Sequence, residues 1–95
     1  MYVIRNIFQL KFAHYKNVKA LIDEGKQMGM FDHPGTRMLT DFTGEAYRLI
    51  LEHSHESLAA WEEDMKNMGK PEWQQWYAKF SEHMDGSYRE ILKVV

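Results

Sequence analysis

The sequence predicts a single α+β domain over residues 1–95, in which four antiparallel strands form a sheet and the helices pack on one of its faces. Three observations carry this expectation. From Tyr2 to Phe12 the residues alternate between a more apolar and a less apolar side. Two later stretches, after His14 and after Ser57, change to helical spacing. Two further strand-like runs flank Thr43-Gly44, and Ser87 to Val95 reads as a final strand.

In the first strand Tyr2, Ile4, Phe8, Leu10 and Phe12 share one side, and Val3, Arg5, Ile7, Gln9 and Lys11 the other, because strand side chains alternate. Val18, Leu21, Ile22, Gly25 and Met28 then make a helical stripe that ends near Gly29. The segment MFDHPG, Met30 to Gly35, reads as a loop by its Asp, Pro and Gly. Thr36 to Phe42 and Ala46 to His53 form a hairpin across Thr43-Gly44, with glycine where positive φ is needed. A helix from about Ser57 carries Leu58, Trp61, Met65 and Met68, and Ser57 is placed to cap it. Gly69-Lys70-Pro71 interrupts the helix, since glycine closes one and proline suits the first turn of the next. Trp73, Trp76, Tyr77, Phe80 and Met84 continue as an aromatic stripe up to Asp85-Gly86. The order β-α-β-β-α-(α)-β is the split βαβ pattern of a ferredoxin-like sheet.

Composition narrows the function classes. The chain has no cysteine, so it has neither disulfide nor thiolate nucleophile, which suits a reducing compartment. MYVIRNIFQLKF reads as a strand and lacks the layout of a signal peptide, so the expected location is cytoplasmic. No apolar run approaches the roughly 20 residues needed to span a bilayer. A net charge of −2 with no basic stripe argues against nucleic acid as a partner. No phosphate loop, dinucleotide fingerprint or Ser-His-Asp order occurs.

A two-residue hairpin loop would set Phe42 opposite Glu45, Thr40 opposite Tyr47, Met38 opposite Leu49 and Thr36 opposite Leu51. One face then carries Met38, Thr40, Phe42, Tyr47, Leu49, Leu51 and His53, and should take the helices. The other carries Leu39 and Ile50 among Arg37, Asp41, Arg48 and Glu52, with Val3 and Ile7 from the first strand. Such a half-apolar face needs a cover, and a second copy of the same sheet is the expected one, its alternating charges forming ion pairs in a homodimer interface.

The element order, the hairpin DFTG (Asp41 to Gly44) and the tract ESLAAWEEDM (Glu56 to Met65) resemble the dimeric α/β-barrel superfamily. That group includes NIPSNAP-like proteins and the antibiotic-biosynthesis and heme-degrading monooxygenases. The resemblance spans nearly the whole chain. It implies two ferredoxin-like sheets face to face, with a pocket between each sheet and its own helices. Heme-degrading members use a strand-one asparagine, a helix tryptophan and a histidine together. Asn6 and Trp61 stand at matching places, but His83 lies beyond the Gly69–Pro71 break, so no cofactor is expected.

Asn6 is the polar residue on the apolar side of the first strand, where an amide must be hydrogen-bonded or serve a pocket. His53, at the pocket rim with a pKa near neutrality, would be the acid or base beside it. Asn6 and His53 are thus the candidate catalytic pair, and Tyr47, Trp61 and Trp76 the candidate substrate contacts. Trp61, Trp73, Trp76, Tyr77 and Phe80 fall at helical spacing, which most often means core; they could also line a cavity for a flat apolar ligand, made adaptable by methionines. His53 and His55 share a strand face, yet a third metal ligand would have to come from Asp64 or His33, and no metal is expected. Two classes of function follow: a cofactor-free, monooxygenase-like enzyme acting on a small apolar or aromatic compound, or a non-catalytic binding or stress-associated dimeric module.

Overall fold

The N-terminal alternation is realised as strand β1, Tyr2–Leu10, in a computed structural model that describes residues 1–44 and 46–95. Helix α1 (Tyr15–Gln27), strands β2 (Arg37–Thr40) and β3 (Arg48–His55), helix α2 (Leu58–Met65), a 3-10 turn (Lys66–Gly69), helix α3 (Pro71–Ser81) and strand β4 (Met84–Lys93) follow. The strands lie in the order β2-β3-β1-β4, and every pairing is antiparallel. This is the ferredoxin-like split βαβ sheet. Among the described residues no helix is long and apolar enough to cross a membrane.

The core forms on one sheet face. Phe8, Leu10 and Leu49 from the strands meet Val18 and Ile22 from α1 and Trp76 and Phe80 from α3. Gly25 decides how closely α1 and α3 approach: a Cβ there would stand 3.2 Å from the Trp76 ring and 2.8 Å from Phe31. The indole of Trp76 donates to the carbonyl of Leu21 at 2.6 Å and stacks on Phe80 at 4.7 Å. A buried indole N–H would otherwise cost a few kcal/mol, so this bond locks α3 onto α1. Ser57 caps α2 by accepting from Ala60 N at 3.1 Å, and Pro71 opens α3.

Three boundaries differ from expectation. The hairpin is wider than two residues: Thr40 pairs with Leu49 and Met38 with Leu51, a shift of two that leaves the faces unchanged. The cause is Asp41, whose carboxylate accepts from the Arg48 backbone at 2.9 Å and from its guanidinium at 3.0 and 2.8 Å, closing the loop below the expected pairs. Gly44 does take positive φ (+103°); the expected Phe42–Glu45 pair lies outside the described residues. β1 stops at Leu10, because Ala13 turns the chain at φ +66° and Phe12 is exposed. Finally, α3 ends at Ser81 and β4 starts at Met84, earlier than Ser87, since Met84 pairs with Leu10 across a bulge and Lys11 donates to the His83 carbonyl at 2.9 Å.

Candidate functional site

Between the sheet and the helices lies a cavity of about 580 Å³, within the usual range of small-molecule sites. β1 contributes Asn6 and Phe8, β3 contributes Leu49, Leu51 and His53, α2 contributes Trp61 and Asp64, and α3 contributes Trp73, Trp76 and Tyr77. The loop after α1 adds Met30, Phe31 and His33. The walls are therefore largely aromatic and thioether, broken by a few polar groups.

One polar group is a linked set. Antiparallel register places Arg89 of β4 directly opposite Asn6 of β1, so both side chains rise on the helix side. Arg89 Nε donates to Asn6 Oδ1 at 2.7 Å. Its guanidinium carbon also lies 5.1 Å from the centre of the Trp61 ring, a cation–π distance. Trp61 Nε1 is buried without a hydrogen-bond partner, a donor left unsatisfied at a cost of about 1–3 kcal/mol. Among the described residues, no carboxylate is paired with Arg89.

The second polar group gathers histidines at the end of β3. His53 Nδ1 lies 2.7 Å from His55 Nε2. His33, from the loop, places Nε2 2.7 Å from the Ser54 carbonyl oxygen and stacks on His55 with centroids 4.3 Å apart. Asp64 of α2 completes the group, with Oδ2 3.3 Å from His33 Nδ1 and 3.6 Å from His55 Nδ1. Burial, then the nearby His55 and His33, push His53 down to about 4, against the pull of Asp64. His55 is lowered by burial first and by His33 second.

The expected site residues separate. Asn6, His53, Trp61 and Trp76 line the cavity, Trp76 as a buried core wall. Tyr47 does not: the wide hairpin leaves it in the loop at φ +61°, 5.1 Å from the exposed Phe12 ring. His53 is not near neutrality, and a histidine held at about 4 is a weak base at pH 7. His83 stands outside the cavity with Nδ1 2.9 Å from His14 Nδ1, so it does not join Asn6 and Trp61 as a heme-degrading arrangement requires. Arg89 was not anticipated. Its signal was present in the sequence, since aligning the last strand antiparallel to the first sets Arg89 across from Asn6.

Solved structures share this architecture. A NIPSNAP family protein from Agrobacterium tumefaciens superposes with a TM-score of 0.87 at 16% identity, covering 99% of this chain and 85% of its own. A second NIPSNAP family protein from that organism, of unknown function, gives 0.85 at 17% identity over 100% and 88%. The fold is that of the NIPSNAP and antibiotic-biosynthesis-monooxygenase proteins. An antibiotic biosynthesis monooxygenase gives 0.75 at 10% identity over 100% of this chain and 99% of its own. No family model matches the chain, and no curated protein matches it in sequence. At these identities the NIPSNAP-like resemblance defines the fold alone.

Proposed function

We propose that the chain binds a small planar, apolar or aromatic molecule bearing an acidic group, held in the cavity between sheet and helices. The observation that carries this reading is Arg89: a guanidinium at the wall of a largely aromatic and thioether cavity, held by Asn6 and Trp61 and paired with neither of the carboxylates that line it, Asp32 and Asp64, nor with any other among the described residues. Aromatic walls supply most of the affinity and one cation supplies the specificity. Catalysis draws less support, because His53 is too weak a base for proton abstraction near pH 7. The test is a panel of aromatic carboxylates and their neutral amides, followed by tryptophan fluorescence and melting temperature. Carboxylates should quench and stabilise, and amides less so. A panel in which neither series binds would overturn the reading.

We also propose that it works as a homodimer joined through the helix-free sheet face. Val3, Ile7, Leu39 and Ile50 line that face, and Tyr88 and Leu92 are 54% and 41% exposed there. The charges that β2 and β3 place near it are already paired within one chain, while Glu90 of β4, across from Arg5, makes no ion pair among the described residues. Glu52 accepts from Arg5 at 2.8 Å and from Arg37 at 2.7 and 3.0 Å, and Asp41 holds Arg48. A second sheet could cover the face without stranding an unpaired Asp41 or Glu52. Sedimentation equilibrium giving a monomer at micromolar concentration would contradict this.

A further inference from the structure

We propose that His33, His55 and Asp64 form a binding site for a divalent transition-metal ion of the zinc class. The expectation of no metal rested on His53 and His55 lacking further ligands. The fold supplies two, one from the loop after α1 and one from α2, and joins them to His55 alone. One donor atom from each of the three residues lies within 4.8 Å of the other two. Zinc bonds of about 2.0–2.1 Å set tetrahedral donors roughly 3.3 Å apart. The separations of Asp64 Oδ2 from His33 Nδ1 and His55 Nδ1, 3.3 and 3.6 Å, already fit.

Hydrogen bonding points the lone pairs at the site. The Ser54 carbonyl only accepts, so His33 Nε2, 2.7 Å away, carries a proton. In the neutral ring Nδ1 is then a bare lone pair facing a carboxylate oxygen, an arrangement that is repulsive until a cation lies between them. A second proton on His33 would serve that one edge; a metal ion serves all three donors. His55 is oriented in the same manner. If its Nε2–H donates to His53 Nδ1 across 2.7 Å, its Nδ1 lone pair is free for the ion. A ligating histidine whose other nitrogen is bonded to a fixed acceptor is the usual outer shell of a protein metal site. All three residues of the His53-Ser54-His55 run thus have a part: His55 ligates, Ser54 orients His33, and His53 positions His55.

Closing the third edge requires the His33 ring to leave its 18° stack on His55. His33 sits on a loop with its side chain 36% exposed, and Asp64 is 48% exposed, so both have room to turn. Three protein donors leave a fourth position open. His33 and Asp64 line the cavity, so that position lies on the cavity side. The site stands independently of the aromatic ligand proposed above.

The full chain, stripped with EDTA, is titrated with zinc chloride against a chromophoric competitor, and with cobalt(II), whose visible spectrum reports coordination. One ion per chain is expected. His33→Gln and Asp64→Asn each weaken binding about tenfold or more while circular dichroism stays unchanged, and His14→Gln, at the other close histidine pair, leaves it intact. His53→Phe weakens it about 10–100-fold and His53→Asn, whose carbonyl oxygen falls near the place of Nδ1, restores it. A purely packing role for His53 would favour Phe over Asn. No uptake at micromolar zinc, uptake that survives His33→Gln or Asp64→Asn, or uptake abolished by His14→Gln would overturn the proposal.

Discussion

Asn6 accepts a 2.7 Å hydrogen bond from Arg89 Nε, tying the one amide on the apolar side of β1 to the one arginine on the same side of β4. The bond engages Nε, and among the described residues no hydrogen bond is made by the terminal guanidinium nitrogens, the atoms the proposed ligand would use. Arg89→Met keeps the stem and removes the charge. It should weaken an aromatic carboxylate by roughly 10-fold or more, the value of a charge-assisted hydrogen bond, while barely changing its neutral amide. Fluorescence titration of both ligands checks this, and equal losses would show that Arg89 acts only through packing.

Gly25 is a packing residue. Gly25→Ala gains about 1 kcal/mol of helix propensity, but its methyl meets the Phe31 ring at 2.8 Å and Trp76 at 3.2 Å. Overpacking of this kind costs about 1–3 kcal/mol, so a net loss is expected in urea denaturation. A more stable variant would mean that Phe31 moves aside freely.

Ile50 faces the proposed dimer partner. Ile50→Asp would bury an unpaired carboxylate in that interface, at a cost of several kcal/mol. Sedimentation should show dissociation or unfolding. A variant that sediments like the wild type would place the interface elsewhere.

The metal-free protein should lose stability as pH falls through the window from 6.5 to about 4. His53 is held low by burial first and by His55 and His33 next, so across that window the unfolded chain takes up a proton that the fold refuses. The depressed carboxylate of Asp41, held by its Arg48 hydrogen bonds, is lost only further down, below its ordinary 3.8. Urea melts in EDTA should therefore show a slope that His53→Gln reduces. A flat profile would contradict the depressed histidine.

Side-chain faces were legible before the structure because strand periodicity is two, and the two-residue shift of the β2–β3 pairing preserves parity. Met38, Leu49, Leu51 and His53 accordingly reach the cavity as expected. The hairpin length was not legible, since it is set by the Asp41 side chain bonding Arg48 and not by turn preference at Thr43-Gly44. That same loop removes Tyr47 from the sheet. The end of α3 was ambiguous because Met84 fits the helical stripe through Phe80 and equally fits a strand opposite Leu10. The histidine cluster was half visible: the His53–His55 spacing was clear, but His33 and Asp64 arrive from a loop and a helix whose placement depends on the tertiary fold.

The most direct measurement of the central claim is isothermal titration calorimetry of naphthoate against the wild type and Asn6→Ala, paired with urea stability of both proteins. The account predicts one site per chain in the wild type. In Asn6→Ala, affinity should fall about tenfold while stability changes by no more than about 1 kcal/mol, since the partner left behind is the exposed Arg89. No binding heat with the wild type would contradict it. So would a variant that binds normally and loses several kcal/mol of stability, which would make Asn6 a structural residue.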